Sequence, residues 1–197
     1  MPADQPPADD DARLAALVGA TVRTLRERSG LSMRALATLA GISQPFLSTI
    51  ERGLSTPSMA TLYRIAGGLG VPPGDLLPGP SAGRVSVTRG AQAPLLPVSD
   101  APDAAAGRAL LMRPGSGLEV LDYRVEPGQH LGGWFASAGE MAVLVVSGSL
   151  DVEVAGVGTW RLEAGDLLHH PGQMPHRWLT VDGGGAHVLL LARRDPA

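Results

Sequence analysis

The residues of this chain that can carry chemistry are few and unevenly placed. There is no cysteine, and all 16 basic residues are arginine. This excludes disulfides, thiolate nucleophiles or metal sites, a lysine Schiff base and a phosphate-loop lysine. Five histidines are present. His176 closes the run PGQMPH (171–176), His169 and His170 are adjacent, and His130 stands on an approach loop. Consecutive strand residues face opposite sides, so only one of His169 and His170 can share an interior with His176. The chain also offers Glu140 and the large side chains Trp134, Phe135, Met141, Trp178 and Tyr123. Apolar walls with an imidazole and a carboxylate to orient a guest describe a small-molecule pocket. The same aromatics also suit plain core filling, the role expected of Trp160. Upstream, Gln44 and Thr49 carry paired donors and acceptors one helical turn apart, as reading base edges requires, although an exposed polar helix face has the same appearance.

The elements that must position these residues fall into two groups. With 197 residues, 44% hydrophobic and 18% charged, the chain is globular and allows one large domain or two small ones. Between Ala12 and Gly74 seven arginines face two glutamates, a surplus of five positive charges. From Gly79 onward nine arginines face twelve acids, a deficit of three. A basic segment followed by an acidic one suggests different partners for the two. The pattern changes at the same place. Leu17, Val18, Val22 and Leu25, then Leu62, Ile65, Ala66 and Leu69, recur at helical spacing and stop at glycines. After PGPSAG (78–83), β-like runs follow at 85–87, 109–112, 119–125, 141–146, 150–154, 159–162 and 186–192, as in an antiparallel sandwich or barrel. The expected organisation is a disordered tail over 1–11, a helical domain over 12–78, a linker over 79–84 and a β domain over 85–195. The acidic, proline-rich start lacks the pattern of a secretory signal, and no run reaches about 18 apolar residues, so a cytoplasmic protein with no membrane contact is expected.

Within the helical half, LSMRALATLAGISQPFLSTIERG (31–53) contains two short helices and a tight turn. Ser32 and Ser43 are placed as N-caps, Gly41 as the turn, and Pro45 in a first turn where its missing N–H costs little. Leu36, Leu39 and Ala40 are expected to face inward from the first helix and Leu47 and Ile50 from the second. Gln44, Pro45, Ser48, Thr49 and Arg52 are left outward, and Thr56-Pro57 is expected to restart a helix. The series LAGISQ, IERG and LGV resembles the lambda-repressor-like helix-turn-helix of the XRE family over about residues 14–77. The resemblance implies a five-helix domain binding double-stranded DNA, with Ser43, Gln44, Pro45, Ser48 and Thr49 on the recognition helix. It also implies phosphate contacts from Arg23, Arg34, Arg52 and the helix start at Ser32. Arg26 and Glu51 resemble a family pair that joins the first helix to the recognition helix. Met33 stands where relatives commonly carry a phosphate-binding glutamine.

The stretches PGQHLGGWFASAGEMAVLVVSGSLDV (127–152) and WRLEAGDLLHHPGQMPHRWLT (160–180) resemble a cupin, a double-stranded β-helix or jelly-roll barrel. Cupin metal sites use two histidines two residues apart, a glutamate and a later histidine. Here the paired positions hold Trp134 and Ala136, or Phe135 and Ser137 one register on, and His176 alone stands cleanly in place. Glu140, His176 and His170 are the set from which a zinc, iron or manganese site would have to be rebuilt. The expectation is instead a pocket without cofactor or metal, lined by Trp134, Phe135, Glu140, Met141, His176, Trp178, Tyr123 and His170. Together the halves resemble bacterial regulators with an XRE head and a cupin sensor. The implied protein is no enzyme but a homodimeric transcription regulator that reads a palindromic operator and senses a small-molecule effector. A metal-dependent cupin enzyme with a DNA-binding appendage, and a helix-turn-helix protein whose second domain binds a protein partner, are the alternatives.

Overall fold

The computed structural model describes residues 8–77, 85–114 and 116–193. Four α-helices come first: α1 (Ala8–Arg28), α2 (Met33–Leu39), α3 (Gln44–Glu51) and α4 (Met59–Leu69). Ser32, Ser43 and Ser58 cap the last three, each hydroxyl oxygen accepting the backbone N–H three residues on. The third cap shows that α4 starts from Ser58 rather than from Thr56-Pro57. Leu47 and Ile50 are fully buried, as are Val18 and Val22 of α1. α1 crosses α3 so closely that a Cβ on Gly19 would stand 2.2 Å from the Ile50 carbonyl oxygen. On α2 the inward residues are Leu36, Ala37 and Ala40, while Leu39, expected inward, is 61% exposed. A seven-residue helix turns only one narrow face to its neighbours, and Ala37 takes that place. The expected fifth helix is a single 3₁₀ turn, Pro73–Leu76. α1 begins within the expected tail; residues 1–7 and the expected linker lie outside the described residues.

Eight strands follow: β1 (Leu95–Pro97), β2 (Ala106–Leu111), β3 (Leu118–Val125), β4 (Glu140–Val154), β5 (Gly158–Glu163), β6 (Leu167–Pro171), β7 (His176–Thr180) and β8 (Ala186–Arg193). All ladders between them are antiparallel. The fifteen-residue β4 joins two sheets: its first half pairs with β8 and β6, its second with β5 and β7. β8 carries the first sheet on through β3 and β2 to β1. Two expected runs, 141–146 and 150–154, are thus one strand. The expected strand at 85–87 is absent, and Val85 and Val87 are 86% and 71% exposed. Trp160, expected in the core, sits 40% exposed on β5. That edge strand turns only Leu162 firmly inward.

The two parts are joined through α4. Tyr63 is buried, and its hydroxyl donates to Oε2 of Glu119 on β3, a carboxylate itself 2% exposed. Thr61 donates to Asp100 at 3.1 Å. A Cβ on Gly74 would come within 2.8 Å of the Arg113 backbone, so the 3₁₀ turn lies directly on the β part.

Candidate functional site

Two surfaces gather the residues expected to matter. The first is the outer side of α3. Gln44 and Pro45 are exposed at its start, Ser48 and Thr49 are half-buried along it, and Arg52 is exposed at its end. The Thr49 hydroxyl donates to the Pro45 carbonyl at 3.0 Å, which leaves only its oxygen lone pairs for an outside partner. Gln44 is therefore the side chain of this pair that presents both donor and acceptor. Arg34 is exposed on α2, while Arg23 is bonded to Glu27 at 2.9 Å, which offsets its charge locally. The oxygens of Ser32 and Ser43 accept from the Ala35 and Phe46 N–H groups within their own helices. What aims α3 is a bidentate pair. Arg26 Nε and Nη2 donate to Glu51 Oε1 and Oε2 at 2.7 and 2.9 Å, and Nη1 donates to the Leu31 carbonyl.

The second surface is a cavity of about 90 Å³ where α4 covers the inner face of the sheets. Trp134, Phe135, Met141, His176, Trp178 and Tyr123 all line it, so the structure gathers six of the eight residues expected there. Ring pairs hold the walls: Tyr123 stands edge-on to Trp178 at 5.2 Å, and Phe135 edge-on to His176 at 5.7 Å. His170 lies beside the wall, its ring 4.4 Å from that of His176, and is buried while His169 is exposed. Glu140 does not belong. Alternation along β4 turns Met141, Val143 and Val145 inward and sends Glu140 out, where its carboxylate is 3.8 Å from Arg193. The helical side of the wall was not foreseen: Met59, Ala60 and Tyr63 of α4. A wider cleft of about 520 Å³ continues outward between α4 and the 134–138 loop.

These residues do not fit a cupin metal. His170 and His176 are adjacent, but Glu140 faces away, and no cluster of three or more metal-ligating side chains occurs among the described residues. Two imidazoles alone fall short of the three or four ligands that hold zinc, iron or manganese. Each histidine has Nδ1 against a carbonyl, Pro171 for His170 at 2.9 Å and Met174 for His176 at 3.2 Å. A carbonyl only accepts, so Nδ1 carries a hydrogen, and in the neutral ring Nε2 presents a lone pair.

Burial pushes the His176 imidazole down to about 4, helped by the neighbouring His170 and opposed by the Met174 carbonyl. Because the folded state resists protonation, the unfolded chain binds this proton first. Stability contributed by neutral His176 is therefore complete above pH 6.5 and declines as pH falls toward 4. Over that window this one group costs roughly 3 kcal/mol. Denaturant unfolding at pH 7 and pH 4.5 should show His176→Leu losing clearly less stability on acidification than the parent chain. Equal losses would mean that His176 is not the responsible group.

Comparisons with known proteins bear on both surfaces. A helix-turn-helix family profile matches residues 22–76, and a cupin domain profile matches residues 121–192. The HTH-type transcriptional regulator SutR of Escherichia coli K12 is 39% identical over 74 residues, covering 38% of this chain and 42% of SutR. The HTH-type transcriptional regulator y4dJ of Sinorhizobium fredii is 42% identical over 55 residues, which are 28% of this chain and 71% of y4dJ. The architecture is thus that of a helix-turn-helix head followed by a cupin domain. The chain belongs to the XRE-type helix-turn-helix transcriptional regulators. It spans 42% of SutR and 38% of the Mycobacterium tuberculosis regulator Rv0474. A crystal structure of an HTH_3 family transcriptional regulator from Vibrio cholerae shares the fold, with TM-score 0.68 at 21% identity over 94% of this chain and 99% of that one. Among the described residues no helix is long and apolar enough to cross a membrane.

Proposed function

We propose that this chain is a sequence-specific DNA-binding transcription regulator in which the cupin domain senses a small molecule without a metal. The observation that carries the reading is the shared wall: Met59, Ala60 and Tyr63 belong to the helical head and also close the cavity of the β part. A guest that fills the cavity touches both parts at once, so its binding energy depends on how the head is seated. A difference of about 1–3 kcal/mol between two seatings is enough for a useful switch. In this reading residues 12–78 and 85–195 act as reader and sensor, and the sensor also pairs two chains. The outward residues of neighbouring strands, Val120, Leu144, Leu189 and Leu191, form a half-buried apolar strip on which a second copy fits. A homodimer sets two α3 helices about one helical turn of DNA apart, matching a palindrome.

On duplex DNA, Arg34 and Arg52 release counterions when they meet phosphates. The logarithm of affinity should therefore fall linearly with the logarithm of salt, and Arg52→Ala should flatten the slope by about 1. Fluorescence anisotropy on a labelled duplex at graded salt measures this. Affinity that does not change with salt would count against the nucleic-acid face.

A further inference from the structure

The sensor reading leaves the chemistry of the small molecule open, and the two connected spaces where α4 meets the β part narrow it. The inner cavity of about 90 Å³ is walled by Tyr63, Tyr123, Trp134, Phe135 and Trp178. Arg177, the cation of its lining, is spent on Glu153 and lies over the Trp134 ring at 4.7 Å. An ionised group placed inside would lose its hydration with no counter-charge to replace it, so the cavity suits an apolar, ring-like part of a guest. The lining leaves a polar atom for that part. His176 Nδ1 is turned to the Met174 carbonyl, and no other described group bonds its Nε2. Unlike the sealed Nε2 of His170, this atom keeps accessible surface. Burial holds the ring neutral at ordinary pH, which makes Nε2 an acceptor.

The outer cleft of about 520 Å³ shares Ala60, Tyr63, Ser99, Trp134 and Phe135 with the cavity, so one guest can occupy both. Among the described residues its charged lining is Arg64 and Asp100. Arg64 belongs to α4 of the head, and Asp100 follows β1 in the β part. The two stand 3.8 Å apart with side chains 46% and 49% exposed. A pair so long and so wet is worth no more than about 1 kcal/mol, so either group can take a new partner at little cost. Thr61 keeps both in place: Arg64 Nη2 donates to its hydroxyl oxygen at 2.9 Å, and that hydroxyl donates to Asp100 at 3.1 Å. An anion at this spot meets Asp100 as well as Arg64, and a cation meets Arg64 as well as Asp100. A guest end that carries both charges suits both.

We infer that the joint takes an α-amino acid with an aromatic side chain, whose ring enters the cavity while its carboxylate meets Arg64 and its ammonium meets Asp100. A phenol on the ring, as in tyrosine, adds the donor that His176 Nε2 lacks. Arg64 and Asp100 belong to different parts of the chain, so the guest replaces their loose contact with a bridge and changes how the head is seated. The inference rests on the proposed sensor role and adds the ligand class to it.

The test uses the full chain with L-tyrosine as the probe. L-Phenylalanine lacks the phenol, tyramine the carboxylate, 3-(4-hydroxyphenyl)propionate the ammonium, and p-cresol both charged groups. Binding is followed by NMR at the methyl groups of Met59 and Met141, which line the cavity, and at the imidazole nitrogens of His176. L-Tyrosine should bind most tightly, each missing group costing about 2- to 10-fold, the worth of one hydrogen bond. The phenolic probes alone should move His176 Nε2 toward the hydrogen-bonded position. Arg64→Met should bring L-tyrosine down to the level of tyramine and leave tyramine unchanged, and Asp100→Asn should do the same against the propionate. Tyramine, the propionate or p-cresol binding as tightly as L-tyrosine, or an advantage of L-tyrosine that survives both substitutions, would overturn the ligand class. Equal binding of L-phenylalanine would overturn the role given to His176. If no probe shifts a lining resonance, the class falls as well, while the sensor reading, which names no ligand, stands. L-Tyrosine that fills the cavity yet leaves the affinity for a labelled duplex unchanged would remove the sensor reading and keep the binding site.

Discussion

Glu51→Ala is expected to destabilise the helical head by about 3 kcal/mol, because it leaves a largely buried guanidinium without its bidentate carboxylate. The Arg26 and Glu51 side chains are 12% and 4% exposed and meet through two parallel hydrogen bonds. The hydrogen bond to Glu51 is also the main reason that Arg26 is held in its charged form beyond its ordinary range. What remains to Arg26, a bond to the Leu31 carbonyl and the half-exposed Glu27 carboxylate 3.5 Å from Nη2, offsets the charge only in part. Since a whole domain is stable by only about 5–15 kcal/mol, the loss should melt the head well below the parent temperature. Replacing both partners by apolar residues, Arg26→Met with Glu51→Leu, should recover much of it, as the cost lies in the unpaired charge rather than in the absence of the pair. Thermal unfolding of the three variants is the measurement. A loss under about 1 kcal/mol for Glu51→Ala, the value of a solvent-exposed pair, would show that Arg26 escapes to water.

Tyr63→Phe should cost about 1–3 kcal/mol, and the effect should appear mainly where the two parts meet. The phenol is the donor to the buried Glu119 carboxylate, and the same ring lines the cavity and stands edge-on to Phe135 at 5.1 Å. Phenylalanine keeps the ring and removes the bond. Hydrogen exchange should therefore quicken along α4 and β3 while the central strands β4 and β8 stay protected. Glu119→Gln, which can still accept from the phenol, should do less damage. If exchange quickened equally through β4 and β8, Tyr63 would be a general core residue rather than a tie between the helical and β parts.

The helix-turn-helix was legible because its signals are local. Capping serines, a turn glycine and an inward Leu47 and Ile50 are each decided within a few residues. On the short α2 the local pattern did not distinguish Leu39 from Ala37, since both lie near the edge of one narrow face. Among the strands, β3, β4 and β8 announced themselves as long β-like runs between glycines and prolines, whereas β1, β6 and β7 are three to five residues long, too short for such a run to stand out. The run at 85–87 has strand-forming residues but no ladder. Glu119 was within reach: in LEVLDYRV it shares a face with Leu121, Tyr123 and Val125, and a carboxylate on a core face calls for a partner. Glu140 was misplaced by carrying over a family position where strand alternation sends the side chain outward. The shared cavity wall could not be read at all. It arises from α4 docking on residues far along the chain, 39 positions on for Thr61–Asp100 and 56 for Tyr63–Glu119, and nothing local to Met59, Ala60 or Tyr63 records that contact.

The most direct test of the account is selection of duplexes from a random pool by the parent chain and by Gln44→Ala at the same moderate salt. The parent should enrich a two-fold symmetric sequence. Gln44→Ala should lose about 1–3 kcal/mol of discrimination at each half-site, keeping weak binding to all DNA through its arginines while enrichment collapses. The same enriched sequence at the same strength from both proteins would contradict the assignment of α3 as the reading helix.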